Sequence, residues 1–256
     1  MTTRVMSFST AVGPSQEPNK DGQPLYLQIA HVLGEELRAQ QHPVGRLSEQ
    51  ALSARFRVNR HTLRRAIDIL VSAGLVERRA GVGVNILPGA IDYRLGPATR
   101  FSLMIEESGH SPFTRIISKQ VTNADAEMAR KLRLSQSAAV VRIDTVRDVD
   151  GRPFCVQSQF LDHETFPLVA SEYGGGSLHD FLRDRCGVTV SRRGSTISTE
   201  LPLPADATLL HIGPSQPVIR VSSVNADVAS NLPVEFCVTR FRGDRIELQV
   251  EFPGQP

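Results

Sequence analysis

The sequence predicts an α+β chain in two parts: a small helical unit closed by a β-hairpin, then a larger mixed α/β domain on a largely antiparallel sheet. Three observations predict it. Apolar residues recur at helical spacing between Leu25 and Leu70, then alternate as in a strand after Gly74. Pro88-Gly89 interrupts that pattern. Beyond it, strand-like stretches alternate with helical ones to the end of the chain. A length of 256 residues suits two modest domains better than one large one.

Residues 1–22 are rich in Ser, Thr, Pro, Gly and Gln and read as a disordered tail. Order is expected from Pro24, which fits the first turn of a helix carrying Leu25, Ile29, Val32, Leu33 and Leu37. His42-Pro43 and Gly45 end it. Ser48 is placed to cap a short second helix with Leu52 and Phe56 on its buried face. Arg57-Val58 makes a tight turn, and Asn59 caps a third helix carrying Leu63, Ile67 and Leu70. Gly74 stops that helix. Residues 75–79, a turn at 80–83 and residues 84–86 form a hairpin, so 23–87 is one unit. Residues 88–98 read as a linker, and 99–253 as the second domain. Its expected strands are Arg115–Val121, Val140–Asp148, Phe154–Leu161, Val218–Val224, Val234–Phe241 and Ile246–Phe252. Its expected helices are Arg100–Ser108, Ala124–Leu132 and Ser177–Arg185.

Bulk properties exclude some classes. Cys155, Cys186 and Cys237 show no paired or metal-ligand spacing, which argues for a reducing cytoplasm and against a disulfide framework. His110, His163, His179 and His211 have no metal-ligand spacing either, and no metal or cofactor is expected. No apolar run is long enough to span a membrane, and the N-terminus does not read as a secretory signal. The net charge of +2 says little about partners, but the charge is unevenly placed. Between Arg46 and Arg79 stand eight arginines and three acids, a local balance of +5. Such a concentration is the footprint of phosphate binding.

The second and third helices with the hairpin make a winged helix-turn-helix, whose later helix can enter the DNA major groove. That helix carries Asn59, Arg60, His61, Thr62, Arg64 and Arg65. Arg60 and Arg64 lie four apart, on one side. Arginine can hold guanine N7 and O6 with two hydrogen bonds. An arginine-rich helix taken alone is more often a solvated face; the order of capped helices, turn and glycine-tipped hairpin favours DNA binding.

Pro24-Leu25-Tyr26-Leu27-Gln28-Ile29, Leu47 through Leu52, Val58 through Arg64, Gly74-Leu75-Val76 and Gly81-Val82-Gly83 resemble the GntR family of bacterial regulators. The resemblance implies DNA contacts at Glu49, Gln50, Asn59, Arg60, Thr62 and Arg64, and at Gly81 on the wing tip. It departs at one place: the family's proline before the Ser-Glu pair is absent, and the segment after Gly45 is about two residues short.

Thr99-Arg100-Phe101-Ser102, Arg147 through Pro153 and Pro233 through Phe236 resemble the effector (UTRA) domain of the HutC branch, which shares its fold with chorismate lyase. Ser223 through Asp227 and Thr239 through Arg245 resemble phosphonate-utilisation repressors of the PhnF type. The resemblance implies a small anionic effector held at Thr99, Arg100, Phe101, Ser102 and Arg147, with Gln157, Ser191, Arg193, Glu235 and Phe241 around it. Thr145 and Gln157 replace an arginine and a glutamate of related sugar-phosphate sensors, which argues against an amino-sugar phosphate. Glu235 matches a ligand-facing carboxylate, so a zwitterion such as an aminoalkylphosphonate is expected. On a plainer reading, Arg147 pairs with Asp148 or Asp150 at the surface, and Thr99 and Ser102 only cap a helix.

These readings point to a homodimeric repressor that binds double-stranded operator DNA and is released by its effector. A regulator of another catabolic pathway, such as histidine breakdown, keeps the same parts. A lyase-like enzyme is disfavoured, because the sequence offers no nucleophile-base pair or metal set.

Overall fold

The computed structural model describes residues 23–39, 45–79, 83–87, 89–97 and 100–250. The expected tail, the helix-ending His42-Pro43, the wing-tip Gly81 and Thr99 lie outside these residues. The chain divides after Gly89 into two compact units.

In the first unit, α1 (Leu25–Arg38) starts at Pro24, which stands just before the first turn rather than within it. A two-residue strand β1 (Arg46–Leu47) follows. Next come α2 (Glu49–Phe56) and α3 (Arg60–Ser72). The caps are those the sequence offers. Ser48 Oγ accepts from Ala51 N at 3.2 Å, and Asn59 Oδ1 accepts from Thr62 N at 2.8 Å. Arg57 makes the tight turn in the left-handed region, φ 51°. Strands β2 (Val76–Arg79) and β3 (Gly83–Ile86) form the hairpin, and β1 pairs with β3 to make it three-stranded. Ile29, Leu33, Leu52, Phe56, Leu63, Ile67 and Leu70 meet in one core. Gly83, at φ +104°, lies in a region side chains avoid, and a Cβ there would stand 3.0 Å from Arg46 Nε.

The second unit opens with a correction. Part of the segment read as linker, at 88–98, is strand β4 (Ile91–Arg94). Ile91 and Tyr93 are buried, and β4 pairs in parallel with β11 (Ile246–Gln249). Between them run α4 (Phe101–Glu107), β5 (Pro112–Asn123), α5 (Ala126–Leu132), β6 (Ala139–Val149) and β7 (Arg152–Asp162). There follow α6 (Pro167–Glu172), α7 (Leu178–Cys186), β8 (Val190–Glu200), α8 (Pro204–Leu210), β9 (Val218–Asp227) and β10 (Pro233–Arg242). One antiparallel sheet holds six strands in the order β5-β6-β7-β10-β9-β8. Alternation along the strands separates two layers. Val140, Phe160, Phe236 and Val238 face α5, and Val146, Val156 and Val218 pack with Leu210 of α8. On the other face, Val141, Ile143 and Leu161 pack with α6 and α7, while Phe154 and Phe241 meet Tyr93 and Phe101.

A reading helix and a lined cavity

On α3, Asn59, Arg60 and Arg64 are exposed and Thr62 is half-buried. Gln50 is exposed and Glu49 half-buried at the start of α2. The neighbouring arginines are already engaged. Arg55 pairs with Glu36, Arg78 with Asp68 at 2.7 Å, and Arg65 lies 3.8 Å over the Tyr26 ring. Arg60 and Arg64 make no such contact among the described residues, so their five-donor heads stay free for phosphate or a base edge.

In the second unit a cavity of about 170 Å³ opens between the sheet, α4 and α7. Of the expected effector residues, Arg100, Phe101, Ser102, Arg147, Gln157, Glu235 and Phe241 line it. Arg147 stacks on Phe101, its guanidinium carbon 4.8 Å from the ring centre, and its buried Nε has no hydrogen-bond partner among the described residues. The surface-pairing alternative fails: Asp150 binds His110 at 2.7 Å, and Asp148 lies 4.0 Å from Arg115.

Two expectations change. Arg193 is exposed and does not line the cavity; Arg192 does. A register shift between Arg192 and Gly194 breaks the alternation there and turns Arg192 inward. Ser191 sits in a neighbouring recess, its hydroxyl 3.4 Å from the Pro97 carbonyl. Glu235, expected to face an ammonium group, is 1% exposed and already accepts three hydrogen bonds. Gln159 Nε2 donates at 2.7 Å, Asn225 Nδ2 at 2.6 Å and His179 Nε2 at 2.8 Å. Burial alone would raise its pKa; the His179 charge and these three donors outweigh that and hold it at about 2.

Sequence reasoning missed His179, Gln159, Asn225 and Arg192. Leu178–Cys186 was legible as a helix, but that its second residue meets Glu235 is a tertiary fact. At the rim, Arg100 pairs with Asp180 at 2.8 Å. On the floor, burial pushes the Cys155 and Cys237 thiols up to about 12, so they stay neutral. Gln157 donates to Cys237 and Thr239, and its Oε1 has no partner among the described residues.

A capped reading helix with a wing, followed by a domain built around a polar cavity, defines a ligand-sensing transcriptional regulator. The chain belongs to the GntR family of bacterial regulatory proteins, whose model matches residues 25–86, and a UTRA domain matches residues 107–247. It is 35% identical over 228 residues to the probable transcriptional regulator PhnF of Escherichia coli, covering 88% of this chain and 94% of that one. The transcriptional repressor NagR of Bacillus subtilis is 23% identical, with 87% and 92% covered. In fold the chain is similar to the crystal structure of PhnF from Mycobacterium smegmatis, with a TM-score of 0.63 at 24% identity, covering 89% of this chain and all of that one.

Proposed function

We propose that this regulator is a homodimeric repressor that leaves its operator when a small anion, a phosphonate or phosphate compound, enters the cavity. The observation that carries the effector half is the pair of lining arginines, Arg147 and Arg192, whose Nε atoms are buried without partners among the described residues. Both residues are half-buried, and a partly desolvated cation without a counter-charge is costly, which an anionic ligand relieves. The DNA half rests on Arg60 and Arg64, exposed four residues apart on α3, with Glu49, Gln50, Asn59, Thr62 and Gly81 as the further contacts the family resemblance implies. Two copies would place two reading helices on a palindromic site. Effector binding shifts operator affinity only through a difference in its affinity for the two states.

The test is fluorescence anisotropy on DNA from the protein's own upstream region. Aminoethylphosphonate, phosphate, an amino-sugar phosphate and urocanate are titrated into the complex. Release by a phosphonate or phosphate alone supports the reading. Binding that none of the four disturbs removes the effector assignment and leaves the DNA-binding half.

A further inference from the structure

Three arginines line the cavity; Arg100 pairs with Asp180, while neither Arg147 nor Arg192 has a carboxylate partner among the described residues. Arg147 enters from β6 and Arg192 from β8. The strands between them are β7, β10 and β9, and Arg147 is level with Phe241 of β10 while Arg192 is level with Glu235, so their backbones stand four strand steps apart across the sheet, roughly 19 Å at about 4.8 Å per step, and also about six residues apart along it. Both charges nevertheless act on Cys237, on the middle strand β10, and on the Tyr93 hydroxyl. Burial raises both of those groups, and the two guanidinium charges oppose it. The geometry agrees: both arginines line one cavity, Arg147 lying on Phe101, whose ring is 6.5 Å from that of Tyr93, and Arg192 bonding Gly96, three residues beyond Tyr93.

Both heads are fixed before any ligand arrives. Arg147 stacks on Phe101, and Arg192 Nη1 donates to the Gly96 carbonyl at 3.1 Å. Each keeps donors to spare. On the floor the Cys155 and Cys237 thiols and Gln157 are neutral, and the Glu235 carboxylate beside them is already held by Gln159, Asn225 and His179. Glu235 offers little to an ammonium group, with three of its roughly four acceptor positions taken. An ammonium group near Arg192 would meet a like charge.

We propose that the cavity takes a compact molecule with two anionic groups, one on Arg147 and one on Arg192, such as a phosphonate or phosphate carrying a carboxylate. The inference rests on the anionic-effector reading above. A molecule with one anionic group leaves one half-buried head uncompensated; one with two satisfies both through paired hydrogen bonds.

Isothermal titration calorimetry on the full chain tests this with phosphonoacetate, methylphosphonate and aminoethylphosphonate. Phosphonoacetate is expected to bind about tenfold tighter than methylphosphonate, or more, and aminoethylphosphonate no tighter than methylphosphonate. Arg192→Gln should erase the phosphonoacetate margin while weakening methylphosphonate severalfold less than phosphonoacetate, and Arg192→Lys should restore part of the margin. The inference is overturned if aminoethylphosphonate binds tightest, if the margin survives Arg192→Gln, or if that variant loses methylphosphonate equally. Equal binding of all three compounds refutes the two-anion inference and keeps the anion site. Failure of all three to bind the folded wild type refutes both.

Discussion

Replacing Glu235 with glutamine tests the polar knot on the cavity floor. The carboxylate accepts from Gln159, Asn225 and His179, and its pKa falls from 4.5 to about 2. Because the folded value lies below the unfolded one, the stabilisation is fully present above about pH 4.5 and is lost as pH falls toward 2. The shift corresponds to about 3 kcal/mol at ~1.4 kcal/mol per unit. Glu235→Gln keeps the shape but turns one acceptor end into a donor facing donors, so at neutral pH it should cost about that much. The assay is urea unfolding followed by tyrosine emission. The chain has no tryptophan and three tyrosines, two of which, Tyr93 and Tyr173, are buried in the second unit. The stability difference between wild type and variant should be largest above pH 5 and shrink steadily below it. A difference that stays constant from pH 7 to pH 3 would refute the reasoning.

Arg64→Ala should weaken specific operator binding by roughly 1–3 kcal/mol and lessen its salt dependence, read by anisotropy at two salt concentrations. Arg147→Ala should leave operator affinity within twofold of wild type and abolish the effector response; a folded variant that no longer binds DNA would contradict the assignment. Leu63→Ala opens a hole in the core shared by α1, α2 and α3 and should cost about 2–5 kcal/mol in chemical denaturation. Ser48→Ala removes the cap of α2 and should cost about 1 kcal/mol in the same measurement.

The first unit was legible because its signals are local. Ser48 and Asn59 cap the helices that follow them by a few residues, and Leu63, Ile67 and Leu70 repeat at helical spacing. The two residues of β1 were too few to show a period. In the second unit the strands rich in Val, Ile and Phe stood out. β4 reads as linker because it is four residues long, sits between Pro88-Gly89 and Gly96-Pro97, and gains its meaning only beside β11. β8 reads Ser-Arg-Arg-Gly-Ser-Thr, with no apolar alternation to follow, so the inward turn of Arg192 could not be seen. Phe101, Arg147, Gln157 and Phe241 were placed through family resemblance. The saturation of Glu235 depended on Gln159, Asn225 and His179 arriving from three other elements.

The pairing of Ile91–Arg94 with Ile246–Gln249 also orders events during synthesis. It closes a loop of roughly 150 residues, so the sensing unit cannot finish until nearly the whole chain has left the ribosome. The DNA-reading unit needs only contacts within the first 89 residues and can fold as it emerges. Each molecule thus begins as a finished reader attached to an unfinished sensor. A premature stop between Gly89 and Ile246 would freeze that stage, leaving a fragment with the helix-turn-helix unit complete and the second unit unclosed.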